Sequence, residues 1–220
     1  MPTTPLKSFL PRVLPYVPGC PEILAVAHLR DAAIEFCERT KCWRVITDAY
    51  LVENGEAMVT PATATIHLIE EATWNGHILQ PVQYTDIRPD ELTGNTTQSP
   101  PAYVTQIEPG KVQIYPFQVG GILRISAFLK PRADSIYNSD AANPFDDANA
   151  VVPDFLFMQD AESIAFGAIA RIMAVPEHRF SNDQKSLYYR QMFNEACDRR
   201  FSRHMRGQQR APLRVKASWM

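Results

Sequence analysis

The chain has 220 residues, 45% of them apolar and 21% charged, with a formal net charge of −2. That balance excludes a disordered protein, and no run approaches the ~18 uninterrupted apolar residues of a membrane span. The near-neutral total hides two parts: from Arg199 onward there are seven Arg or Lys and no Asp or Glu, so the preceding residues, with fifteen basic and 24 acidic side chains, carry −9.

The length fits one or two domains with a sizeable core. Proline outnumbers glycine, 18 to 9, which points to many stiff connections. Residues 1–20 contain Pro5, Pro11, Pro15 and Pro18, which break any secretory apolar region. They read as an extended arm. Gly19-Cys20-Pro21-Glu22 then opens a helix, with proline near the first turn and an acid at its positive end. Across residues 22–42, Ile23, Val26, Ala27, Ala33, Ile34 and Cys37 form one apolar stripe, widened by Leu29 and Phe36.

From Trp43 the pattern becomes β. Residues 44–52 are rich in β-branched and aromatic side chains, and Asn54-Gly55 supplies a turn. Ala64–Thr73 and His77–Tyr84 flank Trp74-Asn75-Gly76 as a hairpin, and a short helix is expected at Asp86–Leu92. Thr93–Pro101 reads as a loop. Strands follow at Ala102–Ile107 and Val112–Tyr115, around the turn Glu108-Pro109-Gly110-Lys111, and at Ile122–Leu129 after Gly120-Gly121. Residues 131–152 read as a solvated linker; Asp134, Asp140, Asp146 and Asp147 lack the loop grammar of a calcium site.

Two helices close the sequence. The first opens at Pro153-Asp154, carries the stripe Phe157, Ala161, Ile164, Ala165, Ala168 and Ile172, and has Gly167 for close approach. The second has Ser181 as expected N-cap in a capping box with Gln184. It runs to about Arg206, with Leu187, Tyr188, Met192 and Ala196 on one face and Tyr189, Phe193, Cys197 and Arg200 on another. Gly207 marks its end, and residues 207–220 lack periodicity and read as a flexible tail. The expected fold is α+β, mainly a helical bundle: residues 21–42 and 153–206 form the bundle, and 43–130 form a β-rich insertion or small appended sheet.

No catalytic motif is present: no GxSxG, P-loop, GxGxxG or HExxH. Cys20, Cys37, Cys42 and Cys197 form no CxxC pair and read as buried free thiols, with Cys37 and Cys42 on different faces of one helix. His67 and His77 lie on the two hairpin strands, where they could meet across the ladder as a metal pair or sit exposed. No enzyme activity, metal or cofactor is therefore expected. The distinctive feature is basic: Arg199, Arg203 and Arg206 share a helix face with Arg200 beside them, followed by Arg210, Arg214 and Lys216. Such a segment suits phosphates, a protein partner or plain solvation.

The stretch Phe9-Leu-Pro-Arg-Val-Leu-Pro-Tyr-Val-Pro-Gly-Cys-Pro-Glu22, with Leu29-Arg-Asp-Ala-Ala-Ile-Glu-Phe-Cys-Glu-Arg-Thr40 and Trp43-Arg44, resembles the head-to-tail connector (adaptor) proteins of tailed bacteriophages. The hairpin region and the helix pair opening Val152-Pro153-Asp154 are similar too. The resemblance implies a structural virion protein: a ring of twelve copies beneath the portal protein, extending the DNA channel and joining a downstream tail or nozzle protein. It places the protein in the virion neck, and in the host cytoplasm before assembly. Double-stranded DNA would pass through without sequence-specific binding, and no membrane is involved. The portal-binding extension would be Arg210, Pro212, Leu213, Arg214, Val215, Lys216, Trp219 and Met220, with Arg199, Arg200, Arg203 and Arg206 facing the channel or a partner. Another neck or tail-completion protein is the alternative within the same class; a nucleic-acid-binding accessory protein is the alternative outside it.

Overall fold

The computed structural model of the chain describes residues 2–51, 55–87, 100–118, 120–133 and 151–207. The first strand, β1 (Thr3–Pro5), pairs antiparallel with a short strand far along the chain, Val151–Pro153. The Thr4 hydroxyl bonds the Asp154 carboxylate across this junction. Two 3-10 segments follow, Leu6–Arg12 and Leu14–Tyr16. Leu6, Phe9, Leu10, Val13 and Val17 are all buried. Residues 1–20, expected as an extended arm, are thus extended only at Thr3–Pro5 and coil into 3-10 turns from Leu6. Proline fixes φ in a range that a 3-10 turn shares, and the apolar residues between the prolines turn inward.

Helix α1 (Glu22–Thr40) starts after Pro21 and stops where Lys41 adopts φ 52, its N–H donating to Cys37 O. Its buried face is Ala25, Val26, Leu29, Ala32, Ala33, Phe36 and Cys37. The expected stripe is thus rotated: Ile23 lies in solvent, while Ala32 joins the core. Small residues decide the face, because a neighbouring helix must approach closely there.

The expected mainly helical bundle with a β-rich insertion is overturned. Strands β2 (Arg44–Tyr50), β3 (Glu56–Met58), β4 (Ala64–Trp74), β5 (His77–Pro81), β6 (Tyr103–Glu108), β7 (Lys111–Tyr115) and β8 (Ile122–Pro131) form one seven-stranded sheet. Its order is β2-β8-β4-β5-β6-β7-β3, and it curls into a nearly closed, barrel-like shape. The barrel fills its own interior, with Leu79, Val104, Val112, Ile114, Leu123, Ile125 and Leu129 all buried. Alternation explains this: every second residue of β8 points inward, so the long apolar run from Ile122 supplies both faces of a central strand. β9 (Val151–Pro153) then leads into α2 (Asp154–Met173) and α3 (Asp183–Gly207). The helices form a layer over one end of the barrel rather than a bundle with an appendage, and both layers share one core.

The β4–β5 hairpin forms around Asn75 (φ 47) and Gly76 (φ 87), with Trp74 opposite His77. Two positive φ values are what a tight two-residue hairpin turn requires, and Asn-Gly supplies them. A 3-10 turn at Tyr84–Asp86 meets the expected Asp86–Leu92 helix only at its first residue, Ile87 is extended, and residues 88–92 lie outside the described residues. So do most of the 93–101 loop and the four aspartates of the linker.

The outer face of the sheet is only partly covered. Phe128 is buried beneath the end of α3, with the His204 ring edge-on at 6.0 Å and Lys41 above it. Further along, Ile46, Tyr50, Leu68, Ile78 and Ile122 stand in solvent, Tyr50 at 76% and Ile78 at 78%. The strand pairing puts them on one surface: Tyr50 opposite Ile122, Ile46 opposite Ser126, and Leu68 opposite Phe128.

Candidate functional site

The basic end of α3 is set by its start and its buried face. Asn182, not Ser181, caps the helix: Asn182 Oδ1 accepts the Lys185 N–H at 2.9 Å. Ser181 N–H instead donates to His178 O, one residue too early for a cap. Of the two candidate faces, the buried one carries Phe193 and Cys197, with Tyr189 packed against the core and Ala196 alongside. Leu187 and Tyr188 face solvent. Phe193 selects the face by lying over Gly167 of α2, where a Cβ would meet its ring at 2.8 Å. The expected close approach at Gly167 is present.

This rotation separates the four arginines. Arg199 and Arg203 are exposed; Arg199 Nε donates to Glu195 O, one turn back. Arg200 turns inward, its side chain 17% exposed, and its Nε meets Asp160 Oδ2 of α2 at 3.2 Å. Its Nη2 donates to Gln159 Oε1 at 2.9 Å. Arg206 lies within α3, with its side chain outside the described part. Arg210, Pro212, Leu213, Arg214, Val215, Lys216, Trp219 and Met220 fall outside the described residues.

Between α2 and α3 runs a groove of about 440 Å³, with Asp160 and Glu162 on one side and Arg199, Arg200 and Arg203 on the other. The Asp160–Arg200 pair meets at ion-pair distance without hydrogen-bond alignment, so Asp160 Oδ2 and Arg200 Nε remain without a hydrogen bond. Burial pushes the Asp160 carboxyl up, and the charges of Arg200 and Arg203 oppose the rise without cancelling it. The groove therefore already holds its own counter-charge. A ligand anion there would compete with Asp160, which makes it a poor phosphate cradle.

A second charge cluster lies on the other side of α3. Glu35 of α1 accepts from Arg190 Nη2 at 2.7 Å and Nη1 at 3.0 Å, and also pairs with Arg171 of α2. Arg39 stands 3.6 Å away and reaches Asp198 at 3.3 Å. Burial alone would raise the Glu35 carboxyl, but the hydrogen bonds and charges of Arg190 and Arg171 outweigh it and hold it below the usual range. Glu35 thus ties all three helices together.

Other candidates do not assemble. His77 packs beside Trp74, whereas His67 lies near Glu38, Lys41 and Lys130 at the end of α1. The recorded β4–β5 pairing reaches only Ala72 opposite Leu79, so the two histidines are not juxtaposed. Among the described residues no three His, Cys, Asp or Glu side chains gather as metal ligands. Cys37 and Cys42, expected to diverge, are close enough to influence each other across the left-handed Lys41. The neighbouring Cys42 and complete burial hold the Cys37 thiol well above its ordinary value. Burial pushes Cys197 up to about 12. Neither is poised as a thiolate nucleophile. A cleft of about 720 Å³ between β4 and the β5–β6 pair contains one histidine, His67, and one carboxylate, Asp86, among mainly amide and apolar groups.

Sequence reasoning passed over Asp160 and Glu35. A signal for Asp160 was present: it precedes Ala161 and stands four residues before Ile164, an acid inside an apolar stripe, which calls for a buried partner. No protein-family model matches the chain, and no curated protein matches it.

Proposed function

We propose that the chain is a structural component of a tailed-phage virion: a head-to-tail adaptor that forms a ring beneath the portal protein, extends the DNA channel and connects to a tail or nozzle protein. The observation that carries this reading is a pair of unlike apolar surfaces on one subunit. One, on the helical layer, is the aromatic group in which exposed Tyr16 and Tyr188 both pack against Tyr189. The other is the outer sheet face of Ile46, Tyr50, Ile78 and Ile122. Contiguous exposed apolar groups mark interaction surfaces, and two non-identical ones suit head-to-tail contact around a closed ring. The similarity of residues 9–44 to adaptor proteins supplies the partner. In this reading Arg210–Met220 engage the portal, and DNA passes the ring without sequence readout.

The test is to mix the purified chain with portal rings and, separately, with tail proteins, and to image the complexes. Decoration of the portal end is expected. Deleting residues 207–220 is expected to leave the fold intact and abolish attachment; undiminished docking of the truncated chain would remove the tail from this role. The nucleic-acid reading is weakened by Arg200, which is committed to Asp160 and leaves Arg199 and Arg203 as the exposed described members of the cluster. Duplex binding with a steep salt slope in a filter titration would favour it instead.

A further inference from the structure

The uncovered sheet face begins where the described part of α3 ends. His204 sits edge-on to Phe128 at 6.0 Å, on the rim of that face, and α3 runs on to Gly207. Beyond the rim, Ile46, Tyr50, Leu68, Ile78 and Ile122 stand exposed on one surface. These apolar side chains are interleaved with the Asp48–Arg124 and Arg44–Glu70 pairs, and each is costly to leave bare, at roughly 25 cal/mol per Å² of apolar area.

We propose that in the unassembled chain this face is covered by the chain's own residues 208–220. Three observations favour that occupant. Reach is the first: an extended segment of this length spans about 40 Å, and the face from Phe128 to Ile122 runs about 20 Å along β8 at the strand rise. Pattern is the second. Leu213-Arg214-Val215-Lys216 alternates apolar with basic, so an extended backbone turns Leu213 and Val215 to one side, with Trp219 and Met220 following as further apolar groups. Charge is the third. On the face Asp48 pairs with Arg124 and Glu70 with Arg44, and Glu71, opposite Ser126, adds one further acid. The segment brings Arg210, Arg214 and Lys216 and no acid. In an assembled ring the same face would pass to a neighbouring copy, so the inference concerns the free chain and stands whether or not the ring reading does.

The test is methyl NMR on the full chain with labelled isoleucine. Leu213→Asp with Val215→Asp leaves every described residue unchanged and is expected to shift the methyl signals of Ile46, Ile78 and Ile122 while sparing the interior Ile114 and Ile125. Deleting 208–220 is expected to give the same shifts, and a synthetic 208–220 peptide added to the truncated chain is expected to reverse them. Both effects are expected to be independent of protein concentration. The proposal is overturned if the outer methyls do not respond to either change, or if the peptide shifts signals elsewhere. Shifts that disappear on dilution also overturn it, since the cover would then be a second copy.

Discussion

The ring of Phe193 lies so close over Gly167 that a Cβ on the glycine would meet it at 2.8 Å, with Ala32 Cβ at 3.0 Å on the other side. Three helices thus converge on one missing side chain. Gly167→Ala sets two effects against each other: alanine favours the helix by roughly 1 kcal/mol, while overpacking a full core costs about 1–3 kcal/mol. Both neighbours are buried, so packing prevails and a net loss of about 1 kcal/mol is expected in urea unfolding. Adding Phe193→Leu removes the crowded ring edge, so part of the Gly167→Ala loss is expected to return. Gly167→Ala at or above the wild-type stability would show that the approach is not limiting.

Glu35 is the single carboxylate between Arg171 and Arg190, with Arg39 nearby. Replacing it by Gln leaves two guanidinium groups facing each other without a counter-charge, and a loss of about 1–3 kcal/mol is expected near neutral pH. Its carboxyl is held below the ordinary value of 4.5, so its contribution is present above that value and fades as pH falls through the lower folded one. The stability difference between wild type and Glu35→Gln is therefore expected to narrow in acid. A difference that stays constant as Glu35 protonates would assign the loss to packing instead.

The contrast between Gly167 and the rest of the helical layer shows what local sequence can specify. An isolated glycine in an apolar stripe signals close approach, and Asn75-Gly76 specifies its hairpin through turn chemistry alone. The buried face of α3 could not be chosen locally, because Leu187-Tyr188 and Tyr189-Phe193 are equally apolar; the choice lies with Gly167 on another helix. Barrel curling was hidden for a similar reason. It depends on β8 sitting between β2 and β4, and on a parallel β5–β6 pair, both non-local arrangements. The same holds for Arg200, whose inward turn follows from that of Phe193 and separates it from Arg199 and Arg203.

Acid is expected to weaken the fold through its histidines. His28, His67 and His204 are each held below the ordinary value of 6.5, mainly by burial. The unfolded chain therefore takes up protons at higher pH than the folded one. Their effect is stability fully present above 6.5 and lost as pH falls through that value towards the folded ones. The urea midpoint is expected to drop between about pH 7.5 and pH 5. His28 offers the cleanest variant, since both its ring nitrogens are buried without a hydrogen bond, with Asp31 opposing and Arg171 reinforcing its shift. His28→Leu is expected to flatten the pH profile and raise stability at the acid end. An unchanged slope would place the sensitivity elsewhere.

Asp160 runs in the opposite direction, and its pairing with Arg200 makes that measurable. Its folded carboxyl is raised above 3.8 by burial, with Arg200 and Arg203 holding the rise in check. Arg200→Met removes the nearer guanidinium, leaves a buried carboxylate, and is expected to cost about 3 kcal/mol near neutral pH, the low end for a broken buried pair because Arg203 remains. Without Arg200 the carboxyl rises further and accepts a proton sooner as pH falls, so the cost of the substitution is expected to shrink in acid. Glu35→Gln also shows its smallest effect in acid, but for the reverse reason: there the wild type loses a favourable charge, whereas here the variant sheds an unfavourable one. Asp160→Leu with Arg200→Met replaces the pair by apolar groups and is expected to recover most of the loss at neutral pH. If Arg200→Met costs the same at both ends of the range, or the double variant is no better than the single, Arg200 contributes through its aliphatic stem against α2 and the charge contact with Asp160 is incidental.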